Sequence, residues 1–85
     1  MKKIIMFDMA YCPYCRAAHR YMDELRRENP AYAALEITGI DEGLHPDIAN
    51  RYDYYYVPTF YVDGVKLHEG AAKKEDVERV FKAAL

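Results

Sequence analysis

Cys12-Pro13-Tyr14-Cys15 holds the only two cysteines of the chain, two residues apart. Directly ahead stands Lys2-Lys3-Ile4-Ile5-Met6-Phe7, a short apolar and β-branched run bounded by charge. That is the pattern of a strand buried on both faces, as in a parallel or mixed sheet covered by helices. Behind the cysteines, Tyr14, Ala18, Tyr21, Met22 and Leu25 recur at helical spacing, and Arg16, Arg20, Asp23, Glu24, Arg27 and Glu28 fill the opposite face. Pro13 suits the first helical position, where its missing N–H costs nothing. The helix is predicted to end before Pro30, whose ring pushes Asn29 out of the helical region. The motif therefore marks a junction: a strand ends, Met9 to Tyr11 turn, and a helix begins on the two thiols.

Further along, Leu35-Glu36-Ile37-Thr38 alternates apolar with polar and is predicted as a second strand, with Gly39 to Gly43 as loop. Pro46 to Tyr52 is a short helix candidate, with Leu44, Ile48 and Tyr52 four residues apart. Thr59 to Val62 and Val65 to His68, joined by Asp63-Gly64, form the signature of a tight antiparallel hairpin. Val77, Val80, Phe81 and Ala84 mark an amphipathic final helix beginning near Lys74. The expected order is β-α-β-α-β-β-α. A parallel pair from the strand-helix-strand start, extended by the hairpin, makes a four-stranded mixed α/β sheet with three helices. The cysteines fall at the C-terminal end of the first strand, where open α/β sheets place their sites.

With 85 residues the chain has material for one modest core, so residues 1–85 are expected to form a single domain. Hydrophobic residues at 52% and charged residues at 31% describe a globular chain rather than a disordered or membrane one. A formal net charge of −2 leaves no basic footprint for nucleic acid. Asp8 interrupts the first apolar run far short of a secretory signal, so a cytoplasmic setting is expected, with no membrane partner. In a reducing compartment two cysteines are not kept as a structural staple, which points to catalysis or metal binding.

Two thiols on the first turn of a helix can close a disulfide across it, a redox device. Cys12, at the unpaired backbone N–H groups, gains a charge-stabilising setting, whereas Cys15 lies one turn inside and is expected to be less exposed and less acidic. The assignment is Cys12 as nucleophile on a substrate disulfide and Cys15 as the thiol that resolves the mixed disulfide. Against a zinc site, only His19, His45 and His68 are at hand, and none forms a second ligand pair with zinc-like spacing. Val57-Pro58-Thr59 is the second constellation: the proline is either an ordinary trans residue at a strand start or a cis turn that aims the Val57 backbone at a substrate. Tyr11, Tyr14, Tyr54, Tyr55 and Tyr56 can build an aromatic rim around Cys12, or pack as part of the interior.

Taken together, Cys12-Pro13-Tyr14-Cys15 after a strand, Val57-Pro58-Thr59 opening a hairpin and Asp63-Gly64 at its turn resemble the glutaredoxin and thioredoxin superfamily over nearly the whole chain. The tetrapeptide is similar to that of dithiol glutaredoxins. The resemblance implies a thioredoxin fold, a cis Val57-Pro58 bond, Cys12 and Cys15 as the catalytic pair, and Tyr14 and Val57 flanking the bound sulfur partner; with the rim and the second constellation, Tyr11, Tyr56, Pro58 and Thr59 complete the expected substrate contacts. Met9 stands where glutaredoxins usually carry a lysine, and His68-Glu69-Gly70-Ala71-Ala72 replaces their Gly-Gly segment. The thioredoxin tryptophan before the motif is Tyr11, and its buried strand aspartate corresponds to Met6. Cationic candidates for a carboxylate-rich tripeptide are Arg16, Arg51 and Lys73.

The expected activity is that of a thiol-disulfide oxidoreductase acting on disulfide-containing proteins or small disulfides, with a potential of about −200 to −270 mV. No bound cofactor or metal is expected, and the chain is expected to be a monomer. Glutathione as co-substrate and a thioredoxin reductase are the two candidate electron donors, the missing cations favouring the latter. An iron-sulfur cluster shared between two chains, or a non-catalytic interaction module, are the readings from other classes.

Overall fold

The fold is built around the strand that precedes the cysteines. In the computed structural model, which describes all residues Met1–Leu85, β1 (Ile4–Asp8) has a neighbour on each side. It runs parallel to β2 (Ile37–Asp41), from Ile4 opposite Ile37 to Asp8 opposite Asp41. On its other side it runs antiparallel to β3 (Thr59–Val62), from Ile4 opposite Val62 to Phe7 opposite Thr59. β4 (Val65–Glu69) completes the sheet in the order β2-β1-β3-β4. Ile4, Met6 and Phe7 are fully buried because both faces of the sheet are covered.

On one face Ile4, Met6, Phe60 and Val62 pack against Ala18, Met22 and Leu25 of α1 (Pro13–Glu28) and Val77, Val80, Phe81 and Ala84 of α4 (Lys74–Ala84). On the other, Phe7, Ile40 and Tyr61 pack with Ala49 of α3 (Pro46–Ala49). Strand alternation assigns neighbouring residues of β1 to opposite layers. Lys74 binds Glu24 and Glu28 of α1, tying the start of α4 to the far half of that helix.

Three boundaries differ from the sequence reading. There are four helices rather than three, the additional one being a single turn, α2 (Pro30–Ala33). Asn29 is extended (φ −138°), as expected before proline, and its Oδ1 accepts the N–H of Ala31 at 3.0 Å, so the residue that ends α1 also starts the next turn. That turn buries Tyr32 against Phe81. The second strand lies two to three residues later than Leu35–Thr38, because Leu35 closes the α2 turn (its N–H to the Tyr32 carbonyl, 3.1 Å) and sinks into the α1/α4 core. Gly39 to Asp41, expected as loop, are strand, held in register by β1. α3 stops at Ala49 rather than Tyr52, the chain continuing through tight turn bonds that bring Tyr52 onto Phe7.

The hairpin is as expected. Asp63 (φ 51°) and Gly64 (φ 84°) both take positive φ, the requirement of a type I′ turn. An irregularity between Phe60 and Tyr61 leaves Leu67 as an extra residue in β4, which runs on to Glu69.

Candidate active site

β1 ends at Asp8, and the four residues that follow carry the chain into α1. Tyr11 takes a left-handed conformation (φ 62°), which reverses the backbone and delivers Cys12 as the N-cap. Pro13 is the first helical residue. The Cys12 sulfur accepts the backbone N–H of Cys15 at 3.2 Å, so a thiol occupies the capping position that a serine or aspartate oxygen ordinarily fills. The two cysteines are not joined in a disulfide, and Cys15 (3% exposed) lies deeper than Cys12 (7%). Burial above all, then the hydrogen bond to Cys12, pushes the Cys15 thiol up to about 12; a bond from the Met9 backbone acts in the opposite direction.

The second constellation lies at the same end of the sheet, because the pairing of Phe7 with Thr59 sets the preceding residues of β3 alongside the end of β1. The Val57-Pro58 bond is cis. Pro58 is buried and its carbonyl accepts the Gly70 N–H at 2.8 Å, while Thr59 is buried with its hydroxyl donating to the Tyr56 carbonyl. The backbone N–H and C=O of Val57 carry no hydrogen bond within the chain.

The tyrosines divide. Tyr11, Tyr14, Tyr55 and Tyr56 are all largely exposed. Tyr54 does not join them: its ring stacks on Phe7 at 4.8 Å and its hydroxyl donates to Glu42 at 2.7 Å, which corrects its place in the expected rim. The physical reason is the aromatic layer under the sheet, where Phe7, Tyr52, Tyr54 and Tyr61 fill the space beside the short α3. Burial and the Glu42 carboxylate push the Tyr54 hydroxyl well above its ordinary range. Arg16, Arg51 and Lys73 are exposed and form no ion pair.

Two contacts at the site escape sequence inspection. His19 Nε2 lies 2.8 Å from Asp8 Oδ2, joining the first helix to the end of β1. The Glu69 carboxylate accepts the backbone N–H groups of Tyr55 (2.6 Å) and Tyr56 (3.1 Å) while paired with Lys66 at 2.7 Å. Nothing local signalled either, since they join residues eleven and fourteen apart. A cleft of about 380 Å³ opens beside the site between Met9, Glu42, Asn50 and Tyr54. No three His, Cys, Asp or Glu side chains converge as a metal site.

A four-stranded mixed sheet with a Cys-Pro-Tyr-Cys motif opening its first helix and a cis-proline at the same end defines a thioredoxin-fold dithiol protein. Residues 4–67 match the Glutaredoxin family model. A thioredoxin of Methanocaldococcus jannaschii is 34% identical over 98% of this chain and 95% of its own length. The chain belongs to the glutaredoxin/thioredoxin superfamily. Among solved structures, the oxidised thioredoxin of Plasmodium falciparum has a TM-score of 0.73 at 15% identity, covering 96% of this chain and 79% of its own. A thioredoxin-like protein of Clostridium perfringens has a TM-score of 0.71 at 26% identity, covering 99% of this chain and 71% of its own.

Proposed function

We propose that this protein is a thiol-disulfide oxidoreductase that reduces disulfides of other proteins by cycling a Cys12-Cys15 dithiol. The observation that carries the reading is the capping contact, with the Cys12 sulfur receiving the Cys15 N–H at 3.2 Å and Cys15 buried behind it. The Cys12 thiolate attacks one sulfur of the substrate disulfide; the first substrate thiolate leaves and a mixed disulfide forms. Cys15 then attacks Cys12, the Cys12-Cys15 bond closes and the second substrate thiolate is released. Two electrons pass from the dithiol to the substrate. The unpaired Val57 backbone groups support the binding of an extended substrate strand beside Cys12, and exposed Tyr11, Tyr14 and Tyr56 supply apolar contact around it.

Recycling calls for a donor of two electrons. The cations expected near the motif to hold the carboxylates of glutathione are only Arg16, Arg51 and Lys73, all exposed. We therefore favour a thioredoxin reductase as donor, in a reducing, cytoplasmic compartment. Turnover of a protein disulfide is compared with NADPH plus thioredoxin reductase and with glutathione plus its reductase. Turnover with the first is the expected result, and activity with neither overturns the reading. Cys12→Ser abolishes the mixed disulfide and Cys15→Ser accumulates it; accumulation by neither variant refutes the assignment of roles.

A further inference from the structure

His68-Glu69-Gly70, which closes β4, has no part in the cycle as written, yet it grips the loop that leads to Val57. Residues 53–58 of that loop, between α3 and β3, belong to no helix or strand. Packing does not hold its middle, since Tyr55 is 86% and Tyr56 71% exposed. The end of β4 supplies the grip. Lys66 Nζ donates to the Asp53 carbonyl at 3.1 Å, and Glu69 Oε2 accepts the N–H groups of Tyr55 and Tyr56 at 2.6 and 3.1 Å. The Gly70 N–H donates to the Pro58 carbonyl at 2.8 Å. Lys66 also donates to Glu69 Oε1 at 2.7 Å, so the two side chains brace each other. They meet because the extra residue Leu67 breaks the alternation of the strand and turns Lys66 and Glu69 to one face despite their odd spacing. Gly70 takes φ 89°, and the His68 ring lies 3.1 Å from the Gly70 and Ala71 carbonyls, which fixes this corner.

The backbone on either side of Val57 is thus committed. The Tyr56 N–H goes to Glu69, the Tyr56 carbonyl to the Thr59 hydroxyl and the Pro58 carbonyl to Gly70, while the Val57 N–H and C=O carry no bond within the chain. We propose that Lys66 and Glu69 are positioning residues that preset the Val57 backbone for pairing with a substrate strand. This rests on the oxidoreductase reading, and it names the residues of this chain that make its docking edge ready. A carboxylate that accepts two successive N–H groups is a charge-assisted hold. It acts on two residues whose side chains stand in solvent, so the backbone there owes its order to Glu69 rather than to the core. Ordering this segment on folding, rather than on binding, removes a conformational entropy cost from association with substrate. An ion pair that served stability alone would need no contact with the loop. Here Glu69 gives one oxygen to the loop and one to Lys66, and Lys66 reaches the carbonyl at which the loop begins.

Single-turnover oxidation of the reduced protein by rising concentrations of a disulfide-linked peptide, read by acid quench and mass spectrometry, tests the role. The same peptide N-methylated at the residues flanking its cysteine cannot donate to the Val57 carbonyl, and dithiobis-nitrobenzoate has no peptide backbone to pair. Glu69→Ala is expected to raise the half-saturating concentration of the plain peptide about tenfold, with a much smaller change in its maximal rate. N-methylation raises that concentration in the wild type and adds little in Glu69→Ala, the non-additivity of two changes to one contact. Glu69→Gln, whose amide oxygen still accepts the two N–H groups, keeps most of the affinity. Lys66→Met loses less than Glu69→Ala but shows the same diminished N-methyl effect, so it carries the comparison if a melting curve finds Glu69→Ala unfolded. An unaltered half-saturating concentration in Glu69→Ala overturns the proposal. An N-methyl effect absent from the wild type or undiminished in the variants overturns it too, as does equal slowing toward the peptide and dithiobis-nitrobenzoate. A wild type that reacts with neither disulfide refutes the oxidoreductase reading, and the positioning role with it.

Discussion

The backbone N–H of Cys15 points at the sulfur of Cys12 across 3.2 Å, and this contact divides two chemically identical side chains into unlike halves of one device. Cys12 receives a donor from the helix it caps. Cys15, one turn deeper, is buried, and that burial pushes its thiol up. The helix N-terminus and the sheet thus act on different sulfurs.

Alkylation reports that division. With iodoacetamide at pH 7 to 8, mass spectrometry of the reduced protein is expected to find one label, on Cys12, with Cys15 labelled only after unfolding. Because folding raises the Cys15 thiol from its ordinary value near 9 to about 12, the folded state binds the extra proton between those values. Stability from this group is complete below pH 9 and falls as pH rises toward 12. Equal labelling of both thiols at neutral pH contradicts the burial of Cys15.

The Glu69 carboxylate holds the loop before the cis-proline through two backbone N–H groups. Lys66 and those N–H groups hold it down at about 2, below the usual carboxylate range. A lowered carboxylate contributes stability above its ordinary value of 4.5 and loses it as pH falls toward 2. The protection factors of the Tyr55 and Tyr56 amides, taken against the intrinsic exchange rate at each pH, are therefore expected to hold at pH 5 and to fall between pH 4 and 2. Glu69→Ala lowers them at pH 5 as well. Protection unaltered in Glu69→Ala at pH 5 removes Glu69 from this role.

Tyr54 and Tyr56, two residues apart, are expected to respond differently. Tyr54→Phe deletes the hydroxyl bonded to Glu42 and should cost about 1 kcal/mol in denaturant unfolding. Tyr56→Ala, largely exposed, should leave stability within about 0.5 kcal/mol while raising the KM for a protein disulfide several-fold. The reverse pattern would mean that the two rings have exchanged places.

Asn29 joins two helices, its side chain capping the turn that buries Tyr32. Asn29→Ala should cost about 1 kcal/mol, a fall in Tm of about 4–8 °C for a domain of this size, with Cys12 reactivity unaltered. A Tm lowered by less than a degree would mean that the cap contributes nothing.

Residues close in sequence carried much of the fold. β1, the Pro13 start and Glu28 end of α1, the Asp63-Gly64 turn and α4 follow from local periodicity, proline chemistry and a turn dipeptide, each set by neighbours within about four residues. α2 escaped because Asn29 and Pro30 signal both a stop and a start, and what orders the second turn is Tyr32 meeting Phe81 from the far end of the chain. β2 moved because register is a property of a pair of strands: Gly39 is strand only because Met6 lies opposite.

The site divides along the same line. Cys12-Pro13-Tyr14-Cys15 announced two thiols on a first helical turn, since helix capping is local chemistry. Which tyrosines line the site, how deep Cys15 lies, and that Asp8 meets His19 and Glu69 meets Tyr55 are long-range matters. They arise when sheet pairing aligns the ends of β1 and β3 and when the aromatic layer claims Tyr54 for the interior. Burial and electrostatics act through space, so composition and spacing along the chain carry no record of them.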